Sequence, residues 1–304
     1  MGTLWPVDRL NLVFLAFEAV LQLTRLRSTN GGAWWLLFDF GSMAVVLLLA
    51  RATRSTSLHR AALVRLVHGM ITVPLAFTQV GLLIAASGGH DYAAELASCD
   101  RSLFGGTDPL QWLEQFAHPV LTEALQVSYT LYLLLPVATV VALACRADAM
   151  TIARSLFSLL GIYYLSYLGY HLVPASGPNI HNNFGPLVPC EINPQLRHIF
   201  IDPLEGLWLT ADLRRFIFNA EITQQDCFPS GHVAVAAACL VYAFRCGRRV
   251  GLAFLPLCLG VILSTVYLRY HYVVDLIAGL LLAWLGIVVL EGWHRRMERR
   301  WHAS

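Results

Sequence analysis

Apolar residues in this chain come in long runs rather than in alternation with polar ones, and the runs set the elements. A helix needs about 20 mostly apolar residues to cross the hydrocarbon of a bilayer. Eight stretches approach that length, at roughly 10 to 26, 34 to 50, 63 to 86, 119 to 145, 152 to 173, 232 to 246, 250 to 268 and 272 to 292. Glu18 and Gln22 interrupt the first, and the sixth is short for a full crossing. No small-residue cleavage site follows the first run, which leads into Arg25 and Arg27, so it is expected to stay rather than be removed as a signal peptide. The pattern predicts an all-α fold: a polytopic membrane helix bundle of about eight transmembrane helices.

Between the runs, two connections are long. The one at 87–117 is acidic, with Asp91, Glu95, Asp100, Asp108 and Glu114, and the one at 174–230 is rich in Pro, Asn and Gly. Inside the second, apolar positions from Ile199 to Ile217 interleave with Arg and Asp. That stretch fits amphipathic helices on the membrane surface and equally a loop packed on the bundle. Beyond the last run, residues 293–304 form a basic tail. Glu18, Asp39, His68 and Glu123 fall inside spans and read as helix-packing or boundary groups.

Composition changes the picture in two ways. Hydrophobic residues make up 57% of the chain and charged ones only 13%, against about a quarter in soluble domains. All 21 basic residues are arginine, which excludes Schiff-base and P-loop lysine chemistry. A net charge of +2 gives no argument for nucleic acid. With the N-terminus inside, fourteen arginines fall on inner segments and seven on outer ones, so both termini are expected in the cytoplasm and both long loops outside. An arginine-only basic set fits a GC-rich genome, and on that codon argument a bacterial plasma membrane is expected.

Of seven cysteines, Cys145, Cys239, Cys246 and Cys258 fall in spans or near the inner face and read as small apolar residues. Cys99, Cys190 and Cys227 fall in the outer loops, where an oxidising compartment would permit one disulfide; the sequence does not choose the pair, and the spacings match no zinc pattern.

Two C-terminal stretches carry chemistry. Cys227-Phe228-Pro229-Ser230-Gly231-His232 leads from the long loop into the sixth run. Ser230 is an N-cap candidate there, and the helix N-terminus offers unpaired N–H groups and positive potential to an anion. The second stretch, Ser264 to Asp275, joins the last two runs through a short turn. His271 and Asp275 are four residues apart, so they share a helix face. Both stretches fall on the outer side of the topology read from arginine alone. A neutral His271 held by Asp275 would present a nucleophilic nitrogen, and a protonated His232 could donate to a departing oxygen. Ser230, Gly231 and Arg269 could hold the remaining phosphate oxygens. The class of reaction is phosphoryl transfer with no metal and no cofactor.

These residues resemble the type 2 phosphatidic acid phosphatase (PAP2) superfamily. Pro229 to His232 match its Pro-Ser-Gly-His motif, and Ser264, His271 and Asp275 match its later motif at the right spacing, followed by Ala278-Gly279. The resemblance covers roughly residues 63 to 292, which carry both long loops, and leaves 1–62 as two additional N-terminal spans. It implies a six-helix core in which His271 is phosphorylated, His232 acts as acid and then base, and Asp275 supports His271. It also implies a phosphate-binding role at Ser264 and, at the end of the fifth run, at Tyr170; His171 beside it reads equally as a substrate contact and as a structural histidine. Departures are specific: Thr265 stands where the family has Arg, and Tyr170 and Gly177 stand where an earlier motif has Lys and Arg. In those respects the chain looks like the inositol phosphorylceramide synthase and sphingomyelin synthase branch.

The expected function is a membrane lipid phosphatase or headgroup phosphotransferase, acting on a lipid phosphate ester at the extracytoplasmic leaflet. Its partners would be that substrate, the bilayer and, for a transferase, a lipid hydroxyl acceptor. The alternative is a proton-coupled lipid transporter or flippase using the buried His and Asp; the absence of an internal repeat speaks against it.

Overall fold

A computed structural model describes residues 4–116, 118–178 and 225–303. The helices are α1 (Pro6–Thr24), α2 (Gly32–Ala52), α3 (Leu58–Ser87), α4 (Ala93–Leu103), α5 (Pro109–Leu113), α6 (Pro119–Leu131), α7 (Leu135–Arg146), α8 (Ala149–Leu172), α9 (Gly231–Arg245), α10 (Arg248–Tyr267), α11 (Val273–Leu285) and α12 (Glu291–Ala303). A π-helical turn, Gly286–Leu290, joins α11 to α12. Among the described residues the only β-type pairing is an isolated parallel bridge between Ala175 and Asp226. The apolar stretch proposed to form surface helices, Ile199 to Ile217, lies outside the described residues, as does Cys190.

Six helical stretches are long and apolar enough to cross a membrane: α2, α3, Val120–Arg146, α8, α10 and Val273–Met297. Helix α9 is apolar but has 15 residues, and α1 buries Asp8, Glu18 and Gln22 along its length. Burial separates their roles. In α8, 67% of the apolar window is inside the molecule, whereas in α2 the figure is 17% and in Val273–Met297 it is 22%. Apolar surface turned outward on that scale requires an apolar solvent, which is what a bilayer supplies.

Helix α8 is the shared wall of two cores. On one side Ile152, Leu159 and Ile162 meet Ala234, Cys239 and Tyr242 of α9, Leu135 and Leu143 of α7, and Cys258 and Val261 of α10. On the other, Phe157, Tyr164 and Tyr167 meet Phe14 of α1 and Val73, Ala76 and Val80 of α3. Phe14 stacks on Tyr164 with centroids 3.9 Å apart. The N-terminal helices therefore pack on α8 and α3 as part of one bundle. At the end opposite the long loops, Arg65 is buried and bonds both carboxylate oxygens of Asp8 at 2.8 Å, with its guanidinium 4.4 Å from the Trp5 ring.

One predicted run is not a single helix. The stretch 119–145 is divided by a 3-10 turn at Tyr132–Leu134, because Pro136 at the start of α7 has no N–H to continue the ladder. The break has a consequence for function, since it turns Tyr132 toward the first residues of α9.

Candidate active site

Three helix ends and two loops converge at one end of the bundle. Ser230 caps α9, its Oγ accepting from the Val233 N–H at 3.3 Å, while its own N–H donates to the Asp275 main-chain oxygen at 3.2 Å. Gly279 allows that approach: a Cβ there would stand 2.6 Å from the Ser230 carbonyl oxygen. Between α10 and α11 the chain reverses through Arg269, which is buried and held at φ 60. That left-handed backbone costs a residue with a side chain of order 1–3 kcal/mol. The turn is closed by the His271 N–H on the Thr265 oxygen at 2.9 Å.

The acidic loop has a structural task that its composition did not reveal. Asp100 of α4 reaches across to cap α11, accepting from the Val273 and Val274 N–H groups at 2.8 Å each. Asp91 accepts from the Ala93 N–H at 3.0 Å, the Ser176 N–H at 3.0 Å and the Ser176 hydroxyl at 2.6 Å. It also takes a bond from the Gln225 side chain, so it clasps both ends of the connection between α8 and α9. Burial pushes the Asp91 carboxyl up, but these bonds outweigh it and leave its pKa below the usual carboxylate value. At Asp100 burial prevails over the two N–H bonds and the pKa is raised.

At the centre, His271 Nδ1 lies 2.9 Å from the Cys227 main-chain oxygen. A carbonyl can only accept, so Nδ1 carries the proton and Nε2 keeps its lone pair. Nε2 faces His232 Nδ1 at 3.4 Å. Asp275 stands beside the same nitrogen: its Oδ2 is 3.5 Å from Nδ1 and also accepts from the Cys227 thiol and the Tyr272 N–H, both at 2.8 Å. The thiol also lies 3.3 Å from Nδ1 and bridges the two residues. Burial, followed by the Asp275 charge, pushes the Cys227 thiol well above its usual pKa, which keeps it a donor. His271, Asp275 and Cys227 are all buried.

His232 opens toward a cavity. Its ring lies between Tyr129, stacked at 4.8 Å, and Tyr132 at 4.4 Å. Tyr129 stacks in turn on Tyr270 at 4.1 Å, whose hydroxyl donates to Gln126 Oε1 at 3.1 Å. The cavity, about 510 Å³, runs between α3, α6, α7 and α8. One end is lined by Asp226, Tyr170, Gly231 and His232, and the rest by apolar side chains including Met70, Phe77, Leu133, Val140 and Leu160. A mostly apolar volume with a few polar groups at one end is what a ligand site of this size offers. Asp226 is half-buried, and desolvation raises its carboxyl pKa to about 6 against the opposing charge of His271.

The structure thus brings together His271, His232, Asp275, Ser230, Gly231 and Tyr170, the last with its hydroxyl against the Gly231 backbone. Arg269 lies in the same turn as His271. Two anticipated phosphate contacts are placed elsewhere. Ser264 returns its hydroxyl to the Val261 oxygen of its own helix at 2.7 Å, and His171 turns toward α1, with Nε2 3.2 Å from Glu18 Oε1. Cys227, Asp226, Asp100 and Tyr129 were not singled out by the sequence as site residues. Cys99 and Cys227 are both free thiols.

A family model described as PAP2 superfamily matches residues 94–289. A Dictyostelium discoideum protein named as a PA-phosphatase related-family protein is 31% identical over 83 residues, which is 27% of this chain and 15% of that protein. No solved structure matches.

Proposed function

Since the chain belongs to the PAP2 superfamily, we propose that it cleaves or transfers the phosphate ester of a lipid through a phosphorylated His271. The observation that carries this reading is the 3.4 Å approach of His271 Nε2 to His232 Nδ1 at the polar end of the apolar cavity. A phosphoryl group entering from that cavity parts the two nitrogens. Nε2 attacks phosphorus, the ester oxygen leaves with a proton from His232, and the resulting imidazolium is stabilised by Asp275 and by the Cys227 carbonyl. The first N–H groups of α9 and the Arg269 guanidinium meet the charge that develops on the phosphoryl oxygens, so the scheme calls on no metal. Water or a lipid hydroxyl, with its proton taken by His232, then releases the group from His271.

The cationic shell favours a phosphodiester or headgroup substrate over a monoester dianion. Tyr170 offers a neutral hydroxyl beside Gly231, at a position where the family pattern carries Lys. The arginine asymmetry supports a site at the extracytoplasmic leaflet, with both termini in the cytoplasm of a bacterial cell. The test is to incubate purified protein with phospholipid labelled at phosphorus and quench in alkali, which preserves phosphohistidine. Label on the peptide containing His271 is expected; turnover with label on no histidine overturns the proposal. Adding ceramide, diacylglycerol or inositol distinguishes a transferase, which makes an acceptor-dependent labelled lipid, from a hydrolase.

A further inference from the structure

We propose that Cys227, His271 and Asp275 form an inhibitory site for a soft divalent cation, Zn²⁺ above all. The three donor atoms make a triangle: Sγ to Nδ1 is 3.3 Å, Sγ to Asp275 Oδ2 is 2.8 Å and Nδ1 to Oδ2 is 3.5 Å. Ligands of one tetrahedral zinc, at about 2.3 Å for sulfur and about 2.0–2.2 Å for nitrogen and oxygen, stand about 3.3–3.6 Å from one another. Two sides already have nearly that length, and the third opens by less than about 1 Å once the thiol proton leaves it. One thiolate, one imidazole and one carboxylate are zinc donors, and the sulfur selects against Mg²⁺ and Ca²⁺. A second observation points the same way. Asp275 Oδ1 is buried with no hydrogen-bond partner among the described residues, and a cation held by both oxygens of this carboxylate would satisfy it.

Binding would stop chemistry without occupying the phosphate position. A metal at Nδ1 needs the lone pair of that nitrogen, so the imidazole proton now directed at the Cys227 carbonyl moves to Nε2. The thiol proton is released to solvent, and one proton leaves per cation bound. Nε2 then carries hydrogen where it should present a lone pair to phosphorus. The binding half of this inference is independent of the proposed reaction; the inhibitory half rests on it.

The experiment uses the full chain in detergent, equilibrated with Zn²⁺ and desalted, with metal counted per chain. About one tightly held Zn²⁺ is expected in the wild type, with at least tenfold weaker binding in Cys227→Ser and Cys227→Ala and unchanged binding in Cys99→Ser. Co²⁺ in the wild type should give a thiolate-to-metal charge-transfer band, which needs no variant to fold. Absence of that band together with no retained Zn²⁺, or equal affinity in Cys227→Ser, overturns the site. In turnover assays Zn²⁺ should lower kcat with KM unchanged, and EDTA should restore it. Stoichiometric binding with undiminished turnover overturns the inhibitory half alone, whereas loss of the reaction scheme itself leaves the metal count and the Co²⁺ spectrum to decide the site.

Discussion

His171 and His271 each stand beside a buried carboxylate, and the tighter pair is the one away from the cavity. His171 Nε2 is 3.2 Å from Glu18, and His271 Nδ1 is 3.5 Å from Asp275. All four side chains are at least nine-tenths buried. Distance and burial therefore do not tell the two apart; the surroundings do. His271 has its Nδ1 proton fixed by a main-chain carbonyl and turns Nε2 toward a second histidine at a cavity mouth. His171 lies against α1, with the Phe17 ring edge-on at 6.0 Å. The cavity wall includes His232, the ring that His271 faces, and neither His171 nor Glu18. A histidine four residues from an acid marks a pair; a ring nitrogen facing a second histidine at a cavity wall marks chemistry.

Exchanging each histidine for alanine is the severest way to break that contrast. His271→Ala is expected to lower phosphate release by about 10³-fold or more while leaving the fold intact. His171→Ala is expected to cost about 1–3 kcal/mol of stability, because Glu18 is left buried without its partner, with turnover per folded molecule close to wild type. Thermal melting and phosphate release on the same preparations separate the two effects. The opposite assignment, activity lost at His171 and kept at His271, would break the comparison and return the bundle to a proton-relay reading centred on Glu18.

A smaller effect is expected at His232, since the acid contributes less than the nucleophile. His232→Asn should reduce turnover by about 10²-fold, and most for substrates whose leaving oxygen most needs a proton, as read by phosphate release. Turnover equal to wild type would assign the proton transfer to another group, with Asp226 as the next candidate at the cavity wall.

How much of this was readable in the chain depends on the range of each interaction. The apolar runs were legible because a lipid-facing helix needs length and apolarity rather than a precise partner. Ser230 as a cap was legible because its bond reaches three residues ahead. For His171 the sequence left a substrate contact and a structural role open: it adjoins Tyr170, but neighbours on a helix point about 100° apart, so one faces the cavity while the other faces α1. Cys227 was visible beside the Pro229–His232 motif, but its acceptor lies 48 residues away, and as a lone outer-loop cysteine it suggested a disulfide. Asp100 lies 173 residues from the N–H of Val273 that it caps. Acidity of the loop could be read; its target could not.

That capping scaffold supplies the gentlest test, because the His271 pair depends on loops that acid can loosen and the His171 pair is held between helices. Asp91 has a folded pKa below the ordinary 3.8, so its contribution to stability is complete above about that pH and is lost as pH falls through the lower folded value. Asp226 has the opposite sign. Its pKa near 6 means that the folded protein binds the proton more tightly than the unfolded chain, so stability gains slightly as pH drops from above 6 toward 3.8. Stability should therefore improve a little into mild acid and then decline. The decline should amount to about 1 kcal/mol or less, because Asp91 is partly solvated and its bonds are screened. Hydrogen exchange resolves where it occurs. Below pH 4 the Ala93 and Ser176 amides that donate to Asp91 should lose protection, while amides of α8 around His171 should not. Asp91→Asn should flatten this acid limb; if the variant keeps it, the clasp on the connection between α8 and α9 has another origin.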